Sequence, residues 1–329
     1  MNRFITFLKN WMLPIGMITG AVLYIVYHYV PFFAPAGPFL LHAVKKVQPL
    51  LLFLMLFLTF TRISPKDMRM HRWQWWLLMI QAGSFVALSA MIILCPWLSD
   101  TAKGIIEAAM ICLICPTATA ASVVTGKLGG DMAGLITYTV MINLVTAVVV
   151  PLFVPAIHPA EGVTFFSSFL KIMAKVFPML ICPCVVAWGL RYLFPGVHAL
   201  IQKYSHWSFY IWGVALTLAI LMTTRAIFNN DNGAGIIIGI GVASLLCCAF
   251  EFWAGKEIGA MYGERITVGQ SLGQKNTVFA IWMGYTFLSP VTSVAGGLYS
   301  IWQNCFNSWQ LYRRRKLDEQ GVPMPHETR

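Results

Sequence analysis

Two stretches decide how this chain is read: Cys115-Pro116-Thr117-Ala118-Thr119-Ala120-Ala121-Ser122 and Gln270-Ser271-Leu272-Gly273-Gln274-Lys275-Asn276-Thr277. Each interrupts an apolar run. Proline removes a backbone donor and clashes with the preceding turn, and a glycine among polar residues loosens a helix in a similar way. The surrounding runs are each long enough to cross a bilayer, which takes roughly 20 residues at a helical rise. About ten such spans follow from apolar stretches bounded by charge or by Pro/Gly clusters. They centre near Gly20, Phe53, Val86, Cys112, Asn143, Cys182, Leu216, Leu245, Val278 and Tyr299. The two interruptions then fall in the fourth span of each five-span half. Irregular backbone at membrane depth survives only where it is buried in protein or lines a cavity. Interrupted helices at matching places of two halves point to the binding site of a transporter.

Composition agrees. Of 329 residues, 58% are hydrophobic and 11% charged, against about 45–50% and a quarter in soluble domains. The net charge of +11 does not form a basic face with interleaved aromatics, so no nucleic-acid partner is expected. The basic residues sort by side instead: about 16 of them on the side holding both ends of the chain and about six on the other, which places both termini in the cytoplasm. Arg313-Arg314-Arg315-Lys316 reads as a stop-transfer anchor, and Trp73, Trp75 and Trp76 as an interfacial one. The eight cysteines all sit in apolar runs and read as packing residues. The first apolar run lacks a small-residue cleavage site and reads as a retained helix. No metal cluster, nucleophile–base set or phosphate loop is present, so an enzyme is not expected.

At the two interruptions the chain resembles the bile acid:sodium symporter family, in particular bacterial members. The family's fourth helix carries Cys-Pro-Gly-Gly-Thr-Ala-Ser-Asn followed by Gly-Asp; here Cys115 to Ser122 is followed by Gly130-Asp131. The ninth carries Glu-x-Gly-x-Gln-Asn, matched by Ser271-Leu272-Gly273-Gln274-Lys275-Asn276. The resemblance implies an all-α membrane protein of two inverted five-helix repeats, residues 1–160 and 161–312, with a cytoplasmic tail at 313–329. Helices 1, 2, 6 and 7 would form a panel, and helices 3–5 and 8–10 a core in which broken helices 4 and 9 cross. It implies a secondary transporter working by alternating access on small organic anions, bile acid-like or small carboxylates, in a bacterial plasma membrane. The expected partners are that anion and the lipid bilayer, and the expected assembly is a monomer or weak oligomer.

The departures from the family pattern bear on the coupling ion. The ninth-helix glutamate aligns with Ser271, and the glutamine beside the asparagine with Lys275. The fourth-helix Ser-Asn pair becomes Ala121-Ser122 and a fifth-helix serine becomes Leu135, while Thr139 keeps a hydroxyl and Gln81 matches a helix-3 glutamine. Two positive charges about 4 Å apart repel by roughly 4 kcal/mol at an effective dielectric near 20. Sodium coupling through the family's sites is therefore expected to be lost, with no cofactor in its place.

An intramembrane lysine is costly and is a functional candidate by default. Three roles stand open for Lys275. It occupies the space of a missing sodium ion, bonded to crossover carbonyls and Gln81; or it titrates and couples protons; or it meets the anion directly. Snorkelling from a helix end is the bland alternative. The polar groups expected to touch substrate are Thr117, Thr119, Ser122, Asn276 and Thr277. Glu251 is open between a proton carrier, a partner of Lys275 or Arg265, and an interfacial carboxylate. Glu107 is read as a local helix pair with Lys103, and Asn143 and Thr137 as groups that bond between core helices, with a role in binding as the alternative. The alternatives to the favoured function are a sodium symporter with an ion site rebuilt from Thr139, Gln81 and carbonyls, and a non-transporting membrane receptor.

Overall fold

The computed structural model describes residues 12–159, 162–230 and 233–320. The boundary expected at residues 160 and 161 and the end of the tail, 321–329, lie outside them. Among the described residues the chain is all-helical. The helices are α1 Met12–Tyr29, α2 Gly37–Phe60, α3 Arg72–Leu94, α4 Asp100–Ile114, α5 Ala121–Leu128, α6 Met132–Ile157, α7 Phe165–Leu193, α8 Pro195–Lys203, α9 Ser208–Phe228, α10 Ala234–Met261, α11 Arg265–Gly273, α12 Thr277–Phe287 and α13 Ser293–Glu319. Each span centre expected from the sequence falls inside one of them; the nine-residue α8 was not anticipated. Among the described residues six helices are long and apolar enough to cross a membrane (α2, α3, α6, α7, α9 from Tyr210, and α10), with Pro14–Tyr29 and Thr277–Phe287 as shorter apolar ones.

Local chemistry explains the breaks. Pro116 has no N–H to continue α4, which ends at Cys115 with its N–H on the Ile111 carbonyl. Helix α5 stops at Gly129, whose φ of 88° is left-handed and suits glycine. Two residues later Asp131 caps α6, its carboxylate accepting from Ala133 N at 2.9 Å and Gly134 N at 3.0 Å. The Gly130-Asp131 pair thus marks the turn between a half-helix and the next long one. At the second break Asn276 caps α12, its Oδ1 accepting from Phe279 N at 3.2 Å.

Apolar side chains cover the outside of the bundle, Leu94, Trp97, Val185, Leu246 and Trp253 among them, while Gln48, Gln74, Gln81, Glu251, Ser271 and Lys275 are buried. That inversion is what a lipid surround demands. Helices α10 and α11 approach through small residues: a Cβ on Gly255 would sit 2.8 Å from the Val268 carbonyl, and one on Gly259 2.7 Å from that of Glu264. Trp75 and Trp76 lie on the surface as an interfacial anchor requires, but Trp73 is buried, packed 6.0 Å from the Tyr138 ring.

Candidate functional site: the crossover of the two broken helices

The two interruptions meet. Thr117 and Lys275 pair as an antiparallel bridge, with Ala118 N donating to the Gln274 carbonyl at 2.9 Å and Asn276 N to that of Pro116 at 2.8 Å. Backbone groups released by each break are therefore satisfied by the other, as membrane depth requires. Side chains add to the join. Thr117 Oγ1 donates to the Ser271 carbonyl at 2.8 Å, and the Cys115 thiol to that of Asn276 at 2.9 Å. Cys115 thus has a polar role that a packing residue lacks.

Lys275 lies at the centre, 1% exposed, which removes the snorkelling reading. Its Nζ is 2.5 Å from Glu251 Oε1 and donates to the Leu113 carbonyl at 3.2 Å. Glu251 is fully buried, not interfacial, and its other oxygen accepts from the Tyr299 hydroxyl at 2.7 Å. Arg265 turns away to Glu257 at 3.2 Å. Gln81 Nε2 donates to the Leu113 carbonyl at 2.7 Å and to that of Cys115 at 3.1 Å. Lys275 and Gln81 therefore share the Leu113 carbonyl.

The two halves of the chain build this node alike. Gln81 on α3 accepts a hydrogen bond from Tyr138 on α6; Glu251 on α10 accepts one from Tyr299 on α13. One arm is neutral and the other anionic, and the ammonium lies against the anionic one. Gln303 on α13 grips the Lys275 backbone, its Oε1 accepting from Lys275 N at 2.8 Å and its Nε2 donating to the carbonyl at 3.2 Å. Thr146 on α6 donates to the Ile114 carbonyl at 3.1 Å. Tyr138, Tyr299, Gln303 and Thr146 escaped the sequence reading; a buried amide or phenol in an apolar span was the available signal.

The other expected site residues gather at the crossover with differing freedom. Thr139 Oγ1 donates back to the Leu135 carbonyl at 2.9 Å, and both ends of the Gln81 amide are occupied. Ser271 Oγ and Asn276 Nδ2 are buried without a hydrogen-bond partner among the described residues. Ala121, Thr117, Ser122 and Thr277 are buried and Thr119 is half-buried, with Ser122 Oγ donating to the Thr119 carbonyl at 3.4 Å. Thr137 bonds within its own helix, to the Ala133 carbonyl at 2.9 Å, and the Asn143 amide has no partner among the described residues, so neither makes the expected bond between helices there. Gly273, where α11 ends, has no room for a Cβ: one would sit 2.4 Å from the Phe252 ring. Gly273→Ala is expected to lower stability by about 1–3 kcal/mol, read as a lower apparent Tm of the purified protein.

Two cavities lie towards opposite ends of α6. At its Asp131 end, a space of about 440 Å³ is lined by Lys66, Arg69, His71 and Asp131 among others, with Asp131 N donating to Thr267 Oγ1 at 2.9 Å. At the His158 end, Glu107 is buried, its Oε1 2.8 Å from His158 Nε2 and its Oε2 accepting from Ser289 Oγ at 3.1 Å. These partners replace the local pair with Lys103. The second cavity, about 450 Å³, adjoins Ser289 and runs between α9 and the segment after α12. The five expected substrate residues line neither cavity; they stand at the crossover.

Comparison with known proteins fits this architecture. The profile of the Sodium Bile acid symporter family matches residues 49–230. That segment takes in the first interruption, Gln81 and Tyr138, and ends before Glu251 and Lys275. No individual curated protein matches the chain. With more than half its length matched, and with apolar helices of spanning length, the chain is an integral membrane protein that belongs to the sodium bile acid symporter family, a family of transporters and not of enzymes.

Proposed function

We propose that this protein is a secondary transporter of organic anions in which the Lys275 ammonium stands where family members hold a sodium ion. The observation that carries the reading is the buried Lys275–Glu251 pair at the crossover, 2.5 Å across. Sodium takes oxygen ligands, and the oxygens here are already engaged by a fixed cation. Glu251 and the Leu113 carbonyl receive Nζ, while Gln81 holds two carbonyls. A second charge of the same sign at this place would meet the repulsion of a nearby ammonium in a low-dielectric site.

The fold we infer is ten crossings in two inverted repeats, with both termini cytoplasmic and the boundary between residues 160 and 161. The twin arrangement of Gln81 with Tyr138 and Glu251 with Tyr299 supports it, as does the antiparallel meeting of the two breaks. Alternating access would rock a panel of α1, α2, α7 and α9 against the core. Gln48 spans that divide from α2, donating to the Val278 carbonyl at 3.4 Å and accepting from the Tyr285 hydroxyl at 2.9 Å. The N-termini of α5 and α12 and the ammonium supply positive potential for an anion at the crossover, where Thr119, Ser122, Asn276 and Thr277 would orient it.

Uptake of radiolabelled cholate and benzoate by proteoliposomes tests the reading. Saturable uptake of at least one anion above that of protein-free vesicles is expected. No saturable uptake of either refutes transport of organic anions.

A further inference from the structure

Towards its end α10 carries a cation for which the crossover has no use. Lys256 is half-buried, and its stem crosses α11 at Gly269, where a Cβ would come 2.8 Å from Lys256 Cγ. Its ammonium stands 4.8 Å from the ring centre of Phe306 and 5.8 Å from that of Trp309, both on α13. The Arg313 guanidinium lies 5.2 Å from the same Trp309 ring, as a spacing of four along a helix allows. Arg265, the first residue of α11, joins Arg313 as a charged neighbour of Lys256. Three helices thus bring three cations to one place.

Charge at this place is unbalanced. Arg265 has Glu257 at 3.2 Å, but among the described residues neither Lys256 nor Arg313 has an acid within ion-pair distance. The acids next in sequence are engaged elsewhere: Glu264 accepts from Thr267 Oγ1 at 2.7 Å, and Asp318 pairs with Arg314 at 3.0 Å. The Phe306 and Trp309 rings attract a cation through their faces but carry no net charge. Like charges held together beside apolar surface repel unless a counter-anion joins them. Position says which anion is at hand. Helix α10 is long and apolar enough to span the membrane. Leu246, Phe250 and Trp253 are exposed on it, and their spacing makes one apolar strip that leads to Lys256. Trp253 and Trp309 are both exposed, as aromatic side chains at the depth of lipid headgroups are.

From this we infer that Lys256, Arg313 and Arg265 form a headgroup site for an anionic phospholipid of the surrounding leaflet. Its phosphate lies between Lys256 and Arg313, and its acyl chains run along the strip of Leu246, Phe250 and Trp253. A zwitterionic lipid has a cation of its own beside the phosphate and brings the cluster no net charge, whereas an anionic one does. Packing against Phe306, Trp309 and Gly269 holds the two cations in place, so little side-chain freedom is lost on binding. The site shares no residue with the crossover or with the linings of the two cavities, and it stands apart from which anion is carried.

Titration of the full chain in detergent with phosphatidylglycerol and with phosphatidylcholine, bound lipid being counted by native mass spectrometry, tests this. Wild type is expected to bind phosphatidylglycerol about 10-fold or more tightly than phosphatidylcholine. Lys256→Gln with Arg313→Gln should raise the phosphatidylglycerol Kd by about 10- to 30-fold, as loss of two cations near the headgroup implies. Arg313→Gln alone, at an exposed position, should raise it by about 5-fold and keeps the test open if the double variant fails to fold. Arg315→Gln with Lys316→Gln removes the same charge from exposed positions farther along α13 and should leave the Kd near the wild-type value. Equal binding of the two lipids by wild type, unchanged affinity in Arg313→Gln, or an equal loss in the Arg315 and Lys316 variant overturns the inference. Displacement of phosphatidylglycerol by millimolar inorganic phosphate overturns it too, and assigns the cluster to a soluble anion.

Discussion

Lys275→Met and Glu251→Met, made singly, are each expected to cost about 3–5 kcal/mol, because each leaves one buried charge without its partner. At 2–4 °C per kcal/mol, the apparent Tm should fall by roughly 6–20 °C. The double variant should recover most of that loss. With both charges gone, an apolar pair of similar volume fills the site. The Tyr299 hydroxyl, released from Glu251, has the Gly273 carbonyl within reach at 2.9 Å, and the Leu113 carbonyl keeps Gln81 at 2.7 Å. Uptake should stay lost in the double variant, since stability returns without the ammonium. A double variant as unstable as the singles contradicts the pairing. One that is both stable and active reduces the pair to a packing element.

Lys275→Gln is expected to make uptake depend on sodium. Removing the ammonium leaves the Glu251 carboxylate, fully buried, facing the Leu113 carbonyl, and the new side chain adds an amide oxygen. That is an oxygen cage with one negative charge and no cation. In choline medium, uptake by Lys275→Gln should fall about 10-fold or more, in keeping with an unpaired buried charge. Sodium in the tens of millimolar should restore part of it and should also raise the apparent Tm, since a ligand that binds only the folded state stabilises it. Equal uptake by Lys275→Gln and wild type in choline removes Lys275 from the mechanism.

The sequence carries the broad features because those depend on composition and on local breaks. Pro116 and Gly273 mark the interruptions through backbone chemistry alone, and Gly129 and Asp131 mark the turn into α6. The partners of buried charges are a different matter. Lys275 and Glu251 come from separate helices, and only the packing of α11 against α10, through Gly255 and Gly259, sets one against the other. Glu107 illustrates the limit from the other side: helical spacing offered Lys103, yet the chain folds His158 and Ser289 onto it from two other segments. Thr139 kept a hydroxyl of the right type in the right helix, but a bond to its own turn at the Leu135 carbonyl was within easier reach. Tyr138 and Tyr299 stand in apolar runs with nothing beside them in sequence to mark their hydroxyls as donors to Gln81 and Glu251. In each case the missing information is a contact between distant segments, to which periodicity and local spacing are blind.

The most direct measurement is initial uptake of cholate and benzoate by wild-type proteoliposomes, in sodium chloride against choline chloride with no other ion gradient. If the Lys275 ammonium holds the place of the ion, the two rates agree within about twofold for whichever anion is carried. A rate that falls 10-fold or more in choline means that a sodium ion is bound despite the buried ammonium, and contradicts the proposal.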